Sequence, residues 1–247
     1  MVPSHPLPRY SRRVPELVSL VPAVALAVYA HPDDAEVACG GTLALWASQG
    51  SEVHVVVITS GDKGAADGNA EGLVQRRAEE MAEASRVLGL AGRITLGYPD
   101  GEVGDTLSLR EELVRLVRTI KPHVVVCPDP TAAFFGQEYV NHRDHRAAGW
   151  CAVDAVAPAA ALPLYFPAAG PPHQVEMLFL SGTLFPDIAV DVSETLERKV
   201  AALQCHRSQV GASPEWVESM VRRRAEEAGG TAGVRFAETF RRQHLAG

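Results

Sequence analysis

The run Val24-Ala25-Leu26-Ala27-Val28-Tyr29-Ala30 passes directly into His31-Pro32-Asp33-Asp34, and the reading of this stretch decides the fold. Its first part is continuously apolar, as a strand must be when both faces of its sheet are covered. The chemistry then changes within one residue to an imidazole, a rigid turn former and two carboxylates, the composition of a strand-end loop that meets a ligand. Ser51 to Thr59 repeats the apolar run with Val53, Val55, Val56, Val57 and Ile58, and Gly41 to Gly50 between them suits a helix.

The alternation continues outward. A helix is predicted from about Glu71 to Leu88, stopped by Gly89, and a short strand from Arg93 to Leu96. Leu109, Leu113, Leu116, Val117 and Ile120 follow helical spacing, and Pro122 ends that helix before a strand from His123 to Cys127. A further helix runs from Asp144 to about Val156. Pro158, Pro163, Pro167, Pro171 and Pro172 then mark a long surface loop. Val175 to Leu180 and Ile188 to Asp191 read as strands, and Ser193 with Glu194 opens a helix reaching about Ser208. Alternating helices and buried strands imply right-handed crossovers and a parallel sheet. The expectation is an α/β, Rossmann-like three-layer fold with a mostly parallel sheet: one domain from residue 20 to 247, preceded by a flexible arm over residues 1 to 19.

Composition narrows the function. The chain has 247 residues, 47% of them hydrophobic, and no apolar run long enough to span a bilayer. With 30 acidic against 23 basic side chains its formal charge is -7, which disfavours a nucleic-acid partner and suits a small molecule. Cys39, Cys127, Cys151 and Cys205 form no CxxC pair, so reduced thiols and a cytoplasmic location are expected. Arg9, Arg12 and Arg13 ahead of an apolar stretch from Leu20 to Ala30, with Ala25-Leu26-Ala27 as a small-residue cleavage site, also fit an export signal, but Glu16 and Pro22 interrupt it. Closed homo-oligomers are common among compact α/β enzymes, and one is compatible with this chain.

A second polar cluster, Asn141-His142-Arg143-Asp144-His145, follows the strand His123 to Cys127. Alone, a His-Pro-Asp turn serves equally as a helix cap, and two loop histidines are ordinarily solvated. Together, a histidine, an aspartate and a histidine from two strand-end loops make the three-ligand open site of a catalytic zinc, with a carboxylate left over as base. Gly61 and Gly64 with Lys63 have the composition of a phosphate loop, but their spacing fails GxxxxGK[ST]. Arg77 with Glu80 is, on spacing alone, a surface ion pair, and Asp100 a turn residue. His54 and His123 read as structural, and His206 as a helix-end histidine outside the site. Arg222 to Glu227 reads as a solvated helix face.

These motifs resemble the PIG-L/LmbE-like zinc-dependent deacetylases, which act mainly on N-acetylglucosaminyl compounds. The resemblance rests on His31-Pro32-Asp33-Asp34 with Glu36 and Gly40-Gly41-Thr42, on Thr59-Ser60-Gly61 with Gly64, on Arg77 with Glu80, and on Gly97-Tyr98-Pro99-Asp100. It continues through His142 to His145, His206-Arg207-Ser208-Gln209, and Phe236 to Phe240, covering about residues 22 to 242. It implies His31, Asp34 and His145 as metal ligands, Asp33 as general base, His142 as the second catalytic histidine, and Arg77 and Asp100 as substrate contacts. Two positions depart from the family pattern. Arg143 stands where proline is common, and Val140 where some members carry a tyrosine, leaving Tyr139 and Tyr98 as candidates to assist the oxyanion.

The implied activity is hydrolysis of an N-acetyl group from a small amino-sugar compound, with one Zn2+ per chain, or Fe2+ or another divalent ion on the same ligands. An amidase cleaving a larger acyl group from an amino-sugar thiol conjugate or other N-acyl metabolite is the alternative. A non-catalytic sugar- or metal-binding protein of the same fold would be expected to lack the base or a ligand, and all five residues are present here.

Overall fold

Successive residues of the opening run fall on opposite sides of a sheet: Leu26, Val28 and Ala30 join one buried cluster, and Ala25, Ala27 and Tyr29 another. Val53, Val55 and Val57 likewise separate from Val56 and Ile58, and Val124 and Val126 from Val125 and Cys127. This period of two, apolar on both faces, is what a central strand between two helical layers needs. The computed structural model describes residues 14–65, 68–211 and 214–245.

In chain order the elements are β1 (Glu16–Leu17), β2 (Val24–Tyr29), α1 (Asp34–Ser48), β3 (Glu52–Thr59), α2 (Leu73–Leu88), β4 (Gly92–Tyr98), α3 (Leu107–Ile120) and β5 (Val124–Pro128). A small hairpin, β6 (Phe134–Phe135) and β7 (Tyr139–Val140), precedes α4 (Arg143–Asp154) and two short helical segments, Ala155–Ala160 and Pro167–Ala169. Then come β8 (Met177–Ser181), β9 (Ile188–Asp191), α5 (Leu196–Cys205), α6 (Arg207–Val210), α7 (Pro214–Ala232) and β10 (Ala237–His244).

The main sheet has the order β1-β9-β10-β8-β5-β2-β3-β4. All its pairings are parallel except those of β10 with β8 and β9. Helices α3 and α4 cover the face with Leu26 and Val28, and α1 and α2 the face with Ala25 and Ala27, so the expected three-layer α/β fold is the one observed. The chain runs outward from β2 to β3 and β4, then returns to β5 on the other side of β2. The strand order reverses there, and the crevice beyond the carboxyl ends of β2 and β5 is where such sheets bind ligands. Both polar clusters open into it.

Four expectations change. The arm does not extend to residue 19: Glu16 and Leu17 pair with Ile188 and Ala189, and the Trp46 indole N–H donates to the Leu20 carbonyl at 2.7 Å. Residues 1–13 of the arm lie outside the described residues. Secondly, the helix expected from Gly41 is only the second half of α1, which bends at Cys39 (φ -147°). The bend frees the N–H groups of Gly41 and Thr42, and the Glu238 carboxylate accepts both, at 3.0 and 2.7 Å. A carboxylate at a helix N-terminus is favoured by those orphan donors and by the helix dipole.

Thirdly, the proline-rich stretch is not a plain surface loop. Arg118 of α3, 2% exposed, donates from inside to the carbonyls of Ala159, Ala160, Leu162, Tyr165, Phe166 and Gly170. One guanidinium thus ties together backbone acceptors spread along an irregular stretch, some of which also accept a backbone N–H. Fourthly, the sheet gains β10, which no sequence pattern announces. Its sequence Ala-Glu-Thr-Phe-Arg-Arg-Gln-His lacks apolar periodicity because its buried Glu238 is matched by Lys199 at 2.5 Å, a partner on another element.

Candidate metal and catalytic site

The turn after β2 is held in an uncommon backbone conformation: Asp33 has φ 104°, in the region that non-glycine residues seldom enter. Neither aspartate acts as the helix cap that the motif alone permits. The Asp33 side chain makes no capping hydrogen bond, and Asp34 Oδ2 turns back to accept from the His31 backbone N–H at 2.8 Å. From α2, Arg77 reaches behind the turn, donating to the Pro32 carbonyl at 2.7 Å and the Gly61 carbonyl at 3.1 Å. Its guanidinium also lies 3.5 Å from Asp33 Oδ2. Gly61 and Gly64 are glycines because a Cβ on either would collide with that guanidinium, 2.6 Å away in the case of Gly64. They serve this close approach and form no phosphate cradle.

His145, on the first turn of α4, meets the turn across the switch-point crevice. His31 Nδ1 lies 3.2 Å from His145 Nε2 and 3.3 Å from Asp34 Oδ2, and His145 Nε2 lies 3.2 Å from Asp34 Oδ1. A tetrahedral ion with bonds of about 2.0–2.1 Å has ligand–ligand edges of about 3.3–3.4 Å, so two imidazole nitrogens and a carboxylate fit a divalent ion such as zinc. The outward-facing ring nitrogens are occupied: His31 Nε2 by Asp100 Oδ1 at 3.0 Å, and His145 Nδ1 by Asn141 Oδ1 at 3.0 Å. Such outer partners select the tautomer and orient the ring of a metal-binding histidine.

His31, His142 and His145 offer nitrogens within 4.8 Å of one another, as do His31, Asp100 and Asp144 with their donor atoms. The second group is closed: Asp144 is 0% exposed and accepts the Gly101 N–H at 2.6 Å.

Charges reinforce this geometry. Burial favours the neutral His31 ring, but its hydrogen bond to Asp34 and the charges of Asp34, Asp100 and Asp33 lift it to about 9. His145 is raised in the same way, with Asp34 outweighing burial. Against its own burial, Asp34 is held far below the usual carboxylate range by His145 and His31. Asp33 moves the opposite way, to about 7, because burial and the adjacent Asp34 charge outweigh Arg77 and His206. Two neighbouring carboxylates thus separate into one kept ionised and one poised to exchange a proton near neutrality.

His142 stands at the start of α4, exposed, its ring centroid 5.1 Å from that of His31. Its Nδ1 accepts the Asp144 N–H at 3.2 Å, which puts the proton of the neutral ring on Nε2. Arg77 and Asp100, expected at the substrate, lie one layer back at 3% and 8% exposure, holding the Pro32–Asp33 turn and His31. Tyr98 is engaged with Glu112 at 3.2 Å, whereas Tyr139 lies half-exposed on the rim of a cavity that Asp34, Asn141 and His145 also line.

Spacing puts His206 outside the site, yet it is fully buried against it. Its Nε2 is 3.6 Å from Glu36 Oε1, and its charge bears on Asp33. Glu80 does not pair with Arg77 but accepts from the Ser208 N–H and hydroxyl at 2.8 and 2.6 Å. His206-Arg207-Ser208-Gln209 is thus tied against the site, with Gln209 donating to the Gly64 carbonyl at 3.1 Å. The motif itself is the only sequence signal for this layer.

Residues 26–156 match the family profile described as PIG-L, GlcNAc-PI de-N-acetylase. The chain is 33% identical over 226 residues to a diacetylchitobiose deacetylase of Thermococcus kodakarensis, covering 87% of this chain and 81% of that protein. It is 31% identical over 232 residues to a 1D-myo-inositol 2-acetamido-2-deoxy-alpha-D-glucopyranoside deacetylase of Saccharopolyspora erythraea, with 74% and 82% covered. The structure of an N,N'-diacetylchitobiose deacetylase from Pyrococcus horikoshii superposes with a TM-score of 0.82 at 30% identity, covering 90% of this chain and 84% of that one.

Proposed function

Since the chain belongs to the PIG-L, GlcNAc-PI de-N-acetylase, family, we propose that it is a metal-dependent hydrolase removing the N-acetyl group of a small N-acetylglucosaminyl compound. The observation that carries the proposal is the convergence of two imidazole nitrogens 3.2 Å apart, His31 Nδ1 and His145 Nε2, on the Asp34 carboxylate, whose Oδ2 and Oδ1 lie 3.3 and 3.2 Å from them, with Asp33 beside this set and outside it. Zinc, one ion per chain, is the proposed occupant, and Fe2+ suits the same donors. Bound there, a divalent ion would bring the ionisation of a water into the neutral range and polarise the amide carbonyl.

The protein's own groups would do the rest. Asp33, poised at about 7, takes the proton of the attacking water and returns it to the departing nitrogen, without which an amine leaves poorly. His142 donates its Nε2 proton in a hydrogen bond to the carbonyl oxygen as that oxygen becomes negative. Arg77 keeps the Asp33 turn in place, and Asp100 and Asn141 keep His31 and His145 aimed. Among the described residues no helix is long and apolar enough to cross a membrane. A cytoplasmic location is part of the proposal, supported by four buried, unpaired cysteines.

The test is release of primary amine from a panel of N-acetyl amino sugars by metal-loaded protein, with metal stoichiometry measured alongside. Turnover that disappears on chelation and returns with zinc supports the proposal. A fully loaded protein inert toward the whole panel would overturn it.

A further inference from the structure

A cavity of about 460 Å³ adjoins two of the three donor residues, Asp34 and His145, and not His31. Asp34, Asn141 and His145 line it, whereas Asp33, Arg77, Gly61 and Asp100 do not. That asymmetry has a chemical meaning, which rests on the proposed role of Asp33. A base that returns its proton to the leaving nitrogen must face the amine half of the substrate. The carbonyl substituent then points away from Asp33, toward the cavity.

The cavity is far larger than an acetyl group needs. A methyl is about the size of a water molecule, whose share of liquid volume is about 30 Å³. Its walls are largely apolar: Val37 and Ala38 of α1, Phe135 and Tyr139 of the hairpin, and Met220 and Ala228 of α7. Of the charged groups along it, Lys199 and Glu238 pair with each other, Glu238 also accepts the Gly41 and Thr42 N–H groups, and Arg224 is exposed, so its charge keeps contact with water. An alkyl chain would cover this pair without leaving a lone buried charge. Two walls come from the elements least legible in the sequence, the hairpin and α7, which makes the cavity a property of this tertiary arrangement.

We propose that the cavity is an acyl pocket, and that the enzyme accepts linear N-acyl groups longer than acetyl, their chains lying between α1, the hairpin and α7. Met220 and Ala228 are the specificity-determining positions, because a larger side chain at either shortens the pocket without touching the donor residues.

The experiment compares kcat/KM of the metal-loaded protein for N-acetyl-, N-butyryl- and N-hexanoyl-glucosamine by released amine, in wild type, Ala228→Phe and Met220→Trp. In the wild type the hexanoyl substrate should be within tenfold of the acetyl one or above it. Each folded variant should lower the hexanoyl-to-acetyl ratio at least tenfold, chiefly through a higher KM for the longer substrate. Thermal melting by circular dichroism identifies folded variants, and either one suffices.

Turnover of the acetyl substrate with hexanoyl more than tenfold slower would overturn the acyl pocket and leave the deacetylase reading standing. So would a ratio unmoved in both folded variants. No turnover of any of the three would overturn the acyl pocket, and inertness toward the whole N-acetyl amino-sugar panel would overturn the parent reading with it.

Discussion

Replacing Asp33 by asparagine tests the site at its most exposed joint. The side chain keeps its shape, and the three donor residues are unaltered. The protein should therefore bind one metal ion per chain as before, while losing the group that carries the proton. General acid–base catalysis contributes about 10² to 10⁴ in rate, so kcat should fall by that factor, about 2.7–5.4 kcal/mol in activation free energy, with KM little changed. Stability supplies a second reading with the opposite sign. In the metal-free protein Asp33 titrates at about 7 against an ordinary 3.8 because burial and Asp34 oppose its charge. A carboxyl raised on folding contributes stability below its unfolded value that is lost as pH climbs through the folded one, here from about 4 to about 7. The uncharged amide of the Asp33→Asn variant has no such loss. Urea titrations of the metal-free proteins at pH 5 and pH 8 should show the variant gaining on the wild type at the higher pH. Released amine, metal analysis and those two titrations make up the assay. Turnover within threefold of wild type refutes the base, and loss of metal from the variant refutes the separation of base from ligands.

The outer partners, the proton balance and the buried arginine yield further tests. His145→Ala should abolish stoichiometric metal, whereas Asn141→Ala, which frees the His145 ring and the Ala132 carbonyl but removes no ligand, should weaken it by about 10- to 100-fold in a competition titration with a chelator. In the metal-free protein His31 is raised to about 9 and His145 is raised as well, so binding must expel protons and the apparent affinity should climb steadily from pH 6 to pH 8. An affinity independent of pH in that window would contradict the ligand set. Arg118→Met should destabilise the protein by about 3–5 kcal/mol, since buried carbonyls lose a charged donor, and should raise protease sensitivity between residues 158 and 172. A denaturation midpoint equal to wild type would show that the stretch holds itself.

How much of this was legible beforehand follows from the range over which each interaction acts. Strands β2, β3 and β5 and the helices between them could be read because an unbroken apolar run or a period of 3.6 is written in consecutive residues. The switch point followed, and with it the end of the sheet where His31-Pro32-Asp33-Asp34 and Asn141 to His145 open. Metal chemistry was suggested only by the two polar clusters taken together, since a His-Pro-Asp turn alone serves equally as a helix cap. Periodicity was silent about β10, because a buried glutamate is invisible as core until its lysine, 39 residues away, is known.

The same limit hid the 158–172 stretch, held by an arginine some forty residues earlier, and His206, whose charge bears on Asp33 from the end of another helix. What the chain alone determined was the alternation of apolar runs and the identity of the polar residues at their ends. Only the tertiary structure decided which of those residues meet. His31 and His145 are 114 positions apart, and a 3.2 Å distance between them is created by the packing of whole strands and helices, not by any local preference.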